Sequence, residues 1–243
     1  MTFSRLRMFA GPNGSGKSTL KHVISPELWG IYVNPDDMEK AIRERSFLSL
    51  TDYGIQTTSR ELSDFLAKST LLEKMKLLDE AKLIRYESGR LIFDKISMNS
   101  YYASAIADFI RIKLLESKQS FTFETVMSSR DKIDLLLKAK ASGYRTYLYF
   151  VATEHPRINI SRVQYRVKMG GHPVPEDKIV NRYVRSLDLL MDAVCSTDRA
   201  YVFDNSFHEH IWLAEITEGK RIELKQSEIP AWFTTSLLNK ILS

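Results

Sequence analysis

A single cysteine, Cys195, is all the chain holds, so no intrachain disulfide can form and a disulfide-stapled secreted scaffold is excluded. No neighbour in the sequence would activate Cys195 as a nucleophile, and it reads as a helix-packing residue. No apolar run approaches the roughly 20 residues of a membrane helix, so no membrane partner is expected. The apolar part of MTFSRLRMFAGPNG is too short for a signal-peptide core, and the expected location is the cytoplasm. Internal repeats and low-complexity linkers are missing too. So is any cluster of Lys and Arg that resembles a nucleic-acid-binding tail. The 35 Lys and Arg against 30 Asp and Glu leave a net charge of +5, which suits an anionic ligand. No basic–aromatic surface singles out nucleic acid.

What is present is ordinary globular composition over 243 residues, 44% hydrophobic and 27% charged, enough for one large domain over 1–243. Strand patterns fall at Arg5–Ala10, Ile31–Val33, Ser120–Glu124, Arg145–Ala152 and Ala200–Phe203, with helical patterns between them. That alternation predicts a three-layer α/β/α fold around a mostly parallel sheet, the architecture of P-loop NTPases. Ile211–Ile216 and Arg221–Leu224 flank Glu218-Gly219 as a C-terminal β-hairpin, and Ala231–Leu242 reads as a closing helix. Between Met38 and Lys118 apolar residues recur at three- and four-residue steps, so residues 41–98 read as a helical insertion.

Residues 11–18 read GPNGSGKS, which is G-x-x-x-x-G-K-S without a mismatch. Its glycines let the backbone curl so that consecutive N–H groups point at an anion. The following helix would add the partial positive charge of its N-terminus. Gly11, Pro12, Asn13, Gly14, Ser15, Gly16, Lys17, Ser18 and Thr19 are therefore the nucleotide-binding candidates. Lys17 is the point charge on the β- and γ-phosphates, and the Ser18 hydroxyl is the Mg²⁺ ligand. ATP or GTP with Mg²⁺ is the expected pair of cofactors.

Asn34-Pro35-Asp36-Asp37 follows the second strand. A carboxylate at a C-terminal strand end can take the proton of an attacking hydroxyl. Asp36 is the candidate base, and Asp37 the candidate helix cap. Between Arg157 and Arg185 a helix carrying Arg162 and Arg166 four residues apart meets Gly170-Gly171. Pro175 then opens a second helix carrying Arg182. This arrangement over 156–186 resembles a lid whose guanidiniums stabilise the charge of a transferring phosphoryl group. His172 reads as a shaper of the glycine turn.

GPNGSGKST, YVNPDD, FTFETVMSS, RVQYRVKMGGHPVPEDKIVNRYVRSL and FDNS, in that order, resemble the zeta toxin family of P-loop kinases, and its shorter members in particular. The likeness covers residues 4–40 and 100–225. It implies a kinase that phosphorylates a sugar hydroxyl of UDP-N-acetylglucosamine, and an antitoxin supplied in trans. By the same resemblance Asp36 is the base, and Glu124 and Thr125 lie on the acceptor side. Arg166, with Arg162 and Arg182, supplies the lid charge, and Asn205, after Asp204, lies near the nucleotide base. The family run Glu-Thr-Thr-Leu-Ser is replaced here by Glu124-Thr125-Val126-Met127-Ser128. The expected function is thus a small-molecule kinase acting on a nucleotide sugar. The alternative is a nucleotide-dependent switch whose helical insertion is a partner surface; it has no need of the paired carboxylates Asp36 and Glu124.

Overall fold

The computed structural model describes residues 3–171, 173–207 and 209–242. The chain divides into two compact units, Met1–Gly30 with Thr122–Ser243, and Ile31–Phe121. β1 (Arg5–Ala10) leads into the glycine loop and a one-turn helix α1 (Lys17–Leu20). The second unit then supplies β2 (Ile31–Val33), α2 (Pro35–Arg45), β3 (Phe47–Ser49), α3 (Ser59–Ala67), α4 (Thr70–Lys74) and α5 (Leu78–Ala81). It ends with β4 (Arg85–Glu87), β5 (Arg90–Ile92) and α6 (Ser100–Glu116). β6 (Phe121–Thr125) returns the chain to the first unit. There follow α7 (Asp131–Ala141), β7 (Arg145–Ala152), α8 (Pro156–Lys168), α9 (Glu176–Asp188) and α10 (Leu190–Cys195). The last elements are β8 (Arg199–Asp204), β9 (Ile211–Thr217), β10 (Arg221–Leu224), α11 (Ala231–Phe233) and α12 (Asn239–Leu242), with a π turn joining the two helices.

In the first unit the strands lie in the order β10-β9-β8-β7-β1-β6. β1, β7 and β8 are mutually parallel, whereas β9 and β10 form the antiparallel hairpin expected around Glu218-Gly219. β1 and β7 are almost wholly buried, as befits strands covered on both faces. One face carries Phe9, Tyr149, Val151 and Phe203 beneath Leu20 of α1. Phe9, Tyr149 and Tyr201 stack in a row at centroid spacings of 4.8 and 4.9 Å. On the other face Phe150 meets Trp232 of α11 at 6.2 Å. The register pairs Ala10 with Phe150 and Ala152 with Asp204. The segments that begin at Gly11, Thr153 and Asn205 therefore leave the same sheet edge side by side, the edge where α/β folds build their sites.

At that edge Asp204 is buried, and its Oδ2 accepts hydrogen bonds from Trp232 Nε1 at 2.7 Å and Ser206 Oγ at 2.9 Å. Oδ1 accepts from the Ser206 N–H at 2.8 Å, so a carboxylate costly to bury alone is satisfied on both oxygens.

The second unit departs from the purely helical reading of 41–98. It contains a three-stranded antiparallel sheet in the order β3-β5-β4. β4 and β5 are three residues each, too short to show an alternating pattern. They are joined by Ser88 and Gly89, both at positive φ, the signature of a two-residue hairpin turn. Around this sheet, Leu62, Leu66, Leu72, Tyr102, Ile106, Phe109 and Ile110 make a core of their own. The unit also begins earlier than expected. β2 hydrogen-bonds through the Ile31 N–H to the Ser120 carbonyl at 3.1 Å, and α2 packs on α6.

Two smaller expectations are corrected. Asn34, not Asp37, caps α2: its side chain accepts the Asp36 N–H at 3.0 Å, which leaves both aspartates inside the first turn. Cys195 is exposed at the end of α10, not packed into a helix interface. Among the described residues no helix is long and apolar enough to cross a membrane.

Candidate active site

A glycine loop that points its N–H groups inward turns its carbonyls outward, where they need donors. The first unit supplies them from four directions. Lys17 Nζ folds back to the carbonyls of Gly11 and Pro12 at 2.9 and 3.0 Å. Asn159 Nδ2, from α8, donates to the Asn13 carbonyl at 2.7 Å. Asn205 Nδ2, after β8, donates to the Ser15 carbonyl at 2.8 Å. His210 Nε2 lies 3.2 Å from the Gly16 carbonyl, to which Thr19 Oγ1 also donates at 2.8 Å. Asn159 is fully buried, and its own Oδ1 accepts from the Thr153 hydroxyl. Tyr183 of α9 donates to the Thr153 carbonyl at 2.6 Å, which extends the brace to the next helix. The Ser15 hydroxyl is fully buried and makes no hydrogen bond among the described residues.

α1 is four residues long before it tightens into a 3₁₀ turn, so its macrodipole is small. The helix N-terminus thus offers an anion less than the sequence suggested, and the loop N–H groups and Lys17 are left as its main donors. The glycines are set by close contacts. A Cβ on Gly14, at φ +76°, would sit 2.6 Å from the Asn159 carbonyl oxygen. A Cβ on Gly16, at φ +97°, would sit 2.2 Å from Asn205 Nδ2. Gly14→Ala is therefore expected to cost about 1–3 kcal/mol of stability through strain alone. It should also weaken nucleotide binding, because α8 must retreat from the loop. Urea titration and a fluorescent-nucleotide assay would check the two effects separately.

Ser18 Oγ donates to Glu124 Oε2 at 3.0 Å, and Glu124 Oε1 lies 3.6 Å from Lys21 Nζ. Glu124 is 6% exposed, at the end of β6 beside β1. Thr125 is half-buried, and its Oγ1 accepts the Met127 N–H at 3.1 Å. Met127 is buried with φ +53°, a costly conformation for a long side chain.

The arginines separate. Arg182 Nη1 reaches Asn13 Oδ1 at 3.2 Å, on the loop itself. Arg162 is committed to the segment after β8, donating to the carbonyls of Asn205 at 2.7 Å and Phe207 at 2.9 Å. Arg166 is exposed, with its stem against Gly171. Asp36 belongs to the second unit, exposed in the first turn of α2. His172 lies outside the described residues.

Asn159, Thr153 and His210 had no sequence signal: Asn159 meets Asn13 from 146 positions away. His210 is held below its ordinary pKa, first by burial and then by the nearby Arg162 guanidinium, while the Gly16 carbonyl pulls the other way. A lowered folded-state value means the unfolded chain takes up the proton first. Stability should thus be full above pH 6.5 and decline as pH falls through and below that value. His210→Gln should flatten the decline between pH 7.5 and 5 in a series of thermal melts.

Sheet order, glycine loop and braced carbonyls define the class as a P-loop kinase fold. Residues 97–215 match the family model described as Zeta toxin; the match begins beyond the glycine loop. Over those residues the match agrees with the resemblance to the zeta toxin family, and solved structures share the fold. Among solved structures, the AvrRxo1-ORF1:AvrRxo1-ORF2 complex with sulphate ions is similar at TM-score 0.55 and 14% identity, over 99% of this chain and 64% of that chain. The same complex with ATP gives 0.54 at 15% identity, over 99% and 64%. The PezAT chromosomal toxin–antitoxin system of Streptococcus pneumoniae gives 0.52 at 14% identity, over 100% and 80%. A curated relative, an uncharacterized protein of Haemophilus influenzae, is 33% identical over 63 residues, which is 26% of this chain and 45% of its own length. The chain thus spans less than two thirds of the AvrRxo1 chain, and its match spans under half of the curated relative.

Proposed function

We propose that the protein is an ATP- or GTP-dependent small-molecule kinase of the zeta toxin type, working in the cytoplasm. The acceptor is a sugar hydroxyl, of the UDP-N-acetyl amino sugar class. The hydroxyl oxygen attacks the γ-phosphorus, its proton passes to Asp36, and the bond to the β-phosphate oxygen breaks to release the nucleoside diphosphate. Arg182 already reaches Asn13 of the phosphate loop, with Arg162 and Arg166 contributed by α8. Residues 156–186 act as the lid.

Mg²⁺ fits the residues at hand. Ser18 Oγ and Glu124 Oε2 form a hard, all-oxygen pair 3.0 Å apart. Mg²⁺ takes one or two protein oxygens and completes its shell with phosphate and water. When bound, the ion neutralises phosphate charge. Ser18 and Glu124 are the residues that would hold it.

The observation that carries this reading is the externally braced glycine loop, with Lys17, Ser18 and Arg182 gathered on it. It gains support from the AvrRxo1 complex solved with ATP. Incubation with ATP, Mg²⁺ and a panel of UDP-sugars should yield the diphosphate and an acceptor heavier by one phosphate in mass spectrometry. Hydrolysis with no modified acceptor, even from a full metabolite extract, would favour the nucleotide-dependent switch instead. The toxin–antitoxin character of PezAT supports an inhibitor in trans. Growth arrest on expression, relieved by an inactivating substitution, would bear that out.

A further inference from the structure

We propose that Tyr183 is a positioning residue for phosphoryl transfer: its anchored hydroxyl fixes the turn of α9 that carries Arg182, and so holds that guanidinium on the glycine loop. The inference rests on the kinase reading above and adds to it a residue on which a lid arginine depends.

An arginine reaches its target through a long, flexible side chain. It stabilises a transferring phosphoryl best when its guanidinium already stands where charge develops, because nothing then has to reorganise during the reaction. A closed circuit of hydrogen bonds supplies that placement. Arg182 Nη1 donates to Asn13 Oδ1 at 3.2 Å. The Asn13 carbonyl accepts from Asn159 Nδ2 of α8 at 2.7 Å. Asn159 Oδ1 accepts from the Thr153 hydroxyl. The Thr153 carbonyl accepts from the Tyr183 hydroxyl at 2.6 Å, and Tyr183 adjoins Arg182 in α9. Loop, α8, the end of β7 and α9 are thus joined, and Asn13 is held twice. Its main chain is gripped from α8 and its side chain from α9.

The far half of the circuit is dry. Thr153 and Asn159 are fully buried and Tyr183 is 7% exposed, so water cannot replace a bond lost among them. Burial, helped by the charges of Asp204 and Glu154, pushes the Tyr183 pKa up to about 12, and the hydroxyl remains a donor throughout the neutral range. Thr153 directly follows β7, which lies between β1 and β8, so the circuit is anchored on the middle of the sheet. Arg182 itself is only half-buried, as a group that meets a ligand must be. Arg162 is turned instead to the carbonyls of Asn205 and Phe207.

The test separates positioning from mere support of the fold. Isothermal titration measures the binding of ATP, and of ADP with aluminium fluoride, which imitates the transferring phosphoryl. Mg²⁺ and UDP-N-acetylglucosamine are present throughout. The proteins are the parent, Tyr183→Phe, Arg182→Ala and the double variant. Arg182→Ala should weaken the fluoride complex by about 10³-fold, the lower end for an arginine of this kind. Tyr183→Phe should weaken it about tenfold, within the roughly 10²-fold that a misplacement of about 1 Å can cost, and should barely change the ATP Kd. In the Arg182→Ala background the same substitution should add almost nothing, because the hydroxyl acts through that guanidinium. A tyrosine that only supports the fold would cost as much in both backgrounds. That result, or an undiminished fluoride complex in Tyr183→Phe, would overturn the assignment. Should Tyr183→Phe misfold, Asn13→Ala removes the acceptor of Arg182 and should weaken the fluoride complex about as much; no loss there would overturn the assignment equally. A parent protein that binds ATP, yet binds ADP no better with aluminium fluoride, would instead overturn the kinase reading itself.

Discussion

Lys17→Ala is expected to raise the Kd for ATP at least 100-fold. The ammonium is the one cation rooted in the loop, and its loss removes about two charge-assisted hydrogen bonds of roughly 1.5–3 kcal/mol each. Lys17 bonds to the Gly11 and Pro12 carbonyls of its own loop. Those carbonyls sit at a partly buried edge where water can replace it. The thermal midpoint should therefore move by only a few degrees while binding collapses. Isothermal titration of the parent and the variant, beside a melting curve, reads both. A Kd within threefold of the parent would refute the nucleotide assignment of this loop.

Asp36→Asn is the complementary case, a loss in turnover without a loss in nucleotide affinity. If the carboxylate accepts the acceptor proton, kcat should drop by about 10²–10⁴-fold, the range for a positioned general base. The fold should hardly notice. The cap of α2 comes from Asn34 and uses the Asp36 backbone N–H, which the substitution keeps. Asn at position 36 also keeps the size and polarity of the exposed side chain. Initial rates of acceptor phosphorylation at saturating ATP give the answer. A kcat reduced less than fivefold would assign the base to another residue.

The glycine loop was readable in the sequence because its chemistry is local: eight consecutive residues set both the backbone path and the donors. β1, β7 and β8 were readable for a similar reason, since buried parallel strands leave continuous apolar runs. The parts that escaped are those whose cause is non-local or too short. β4 and β5 are three residues apiece, and their hairpin rests on two positive-φ residues that a helical periodicity reading passes over. Asn159 and His210 are ordinary polar letters in ordinary strings. Only the register that ends β1, β7 and β8 together brings them to the carbonyls of Asn13 and Gly16. Arg162 and Arg166 were paired by helical spacing, yet one is spent on the segment after β8 and the other lies over Gly171. Spacing places two side chains on a helix face. It does not say what stands opposite.

Asp204 and Asn205 are neighbours in sequence with opposite errands. The first grips the indole of Trp232, and the second grips the loop at Ser15. Trp232 is therefore mechanically wired to the glycine loop through one peptide unit. A proteolytic nick near Pro230, or a bulky fusion that pries the last dozen residues from the sheet, should first register as poorer ATP retention. Global unfolding would come only later.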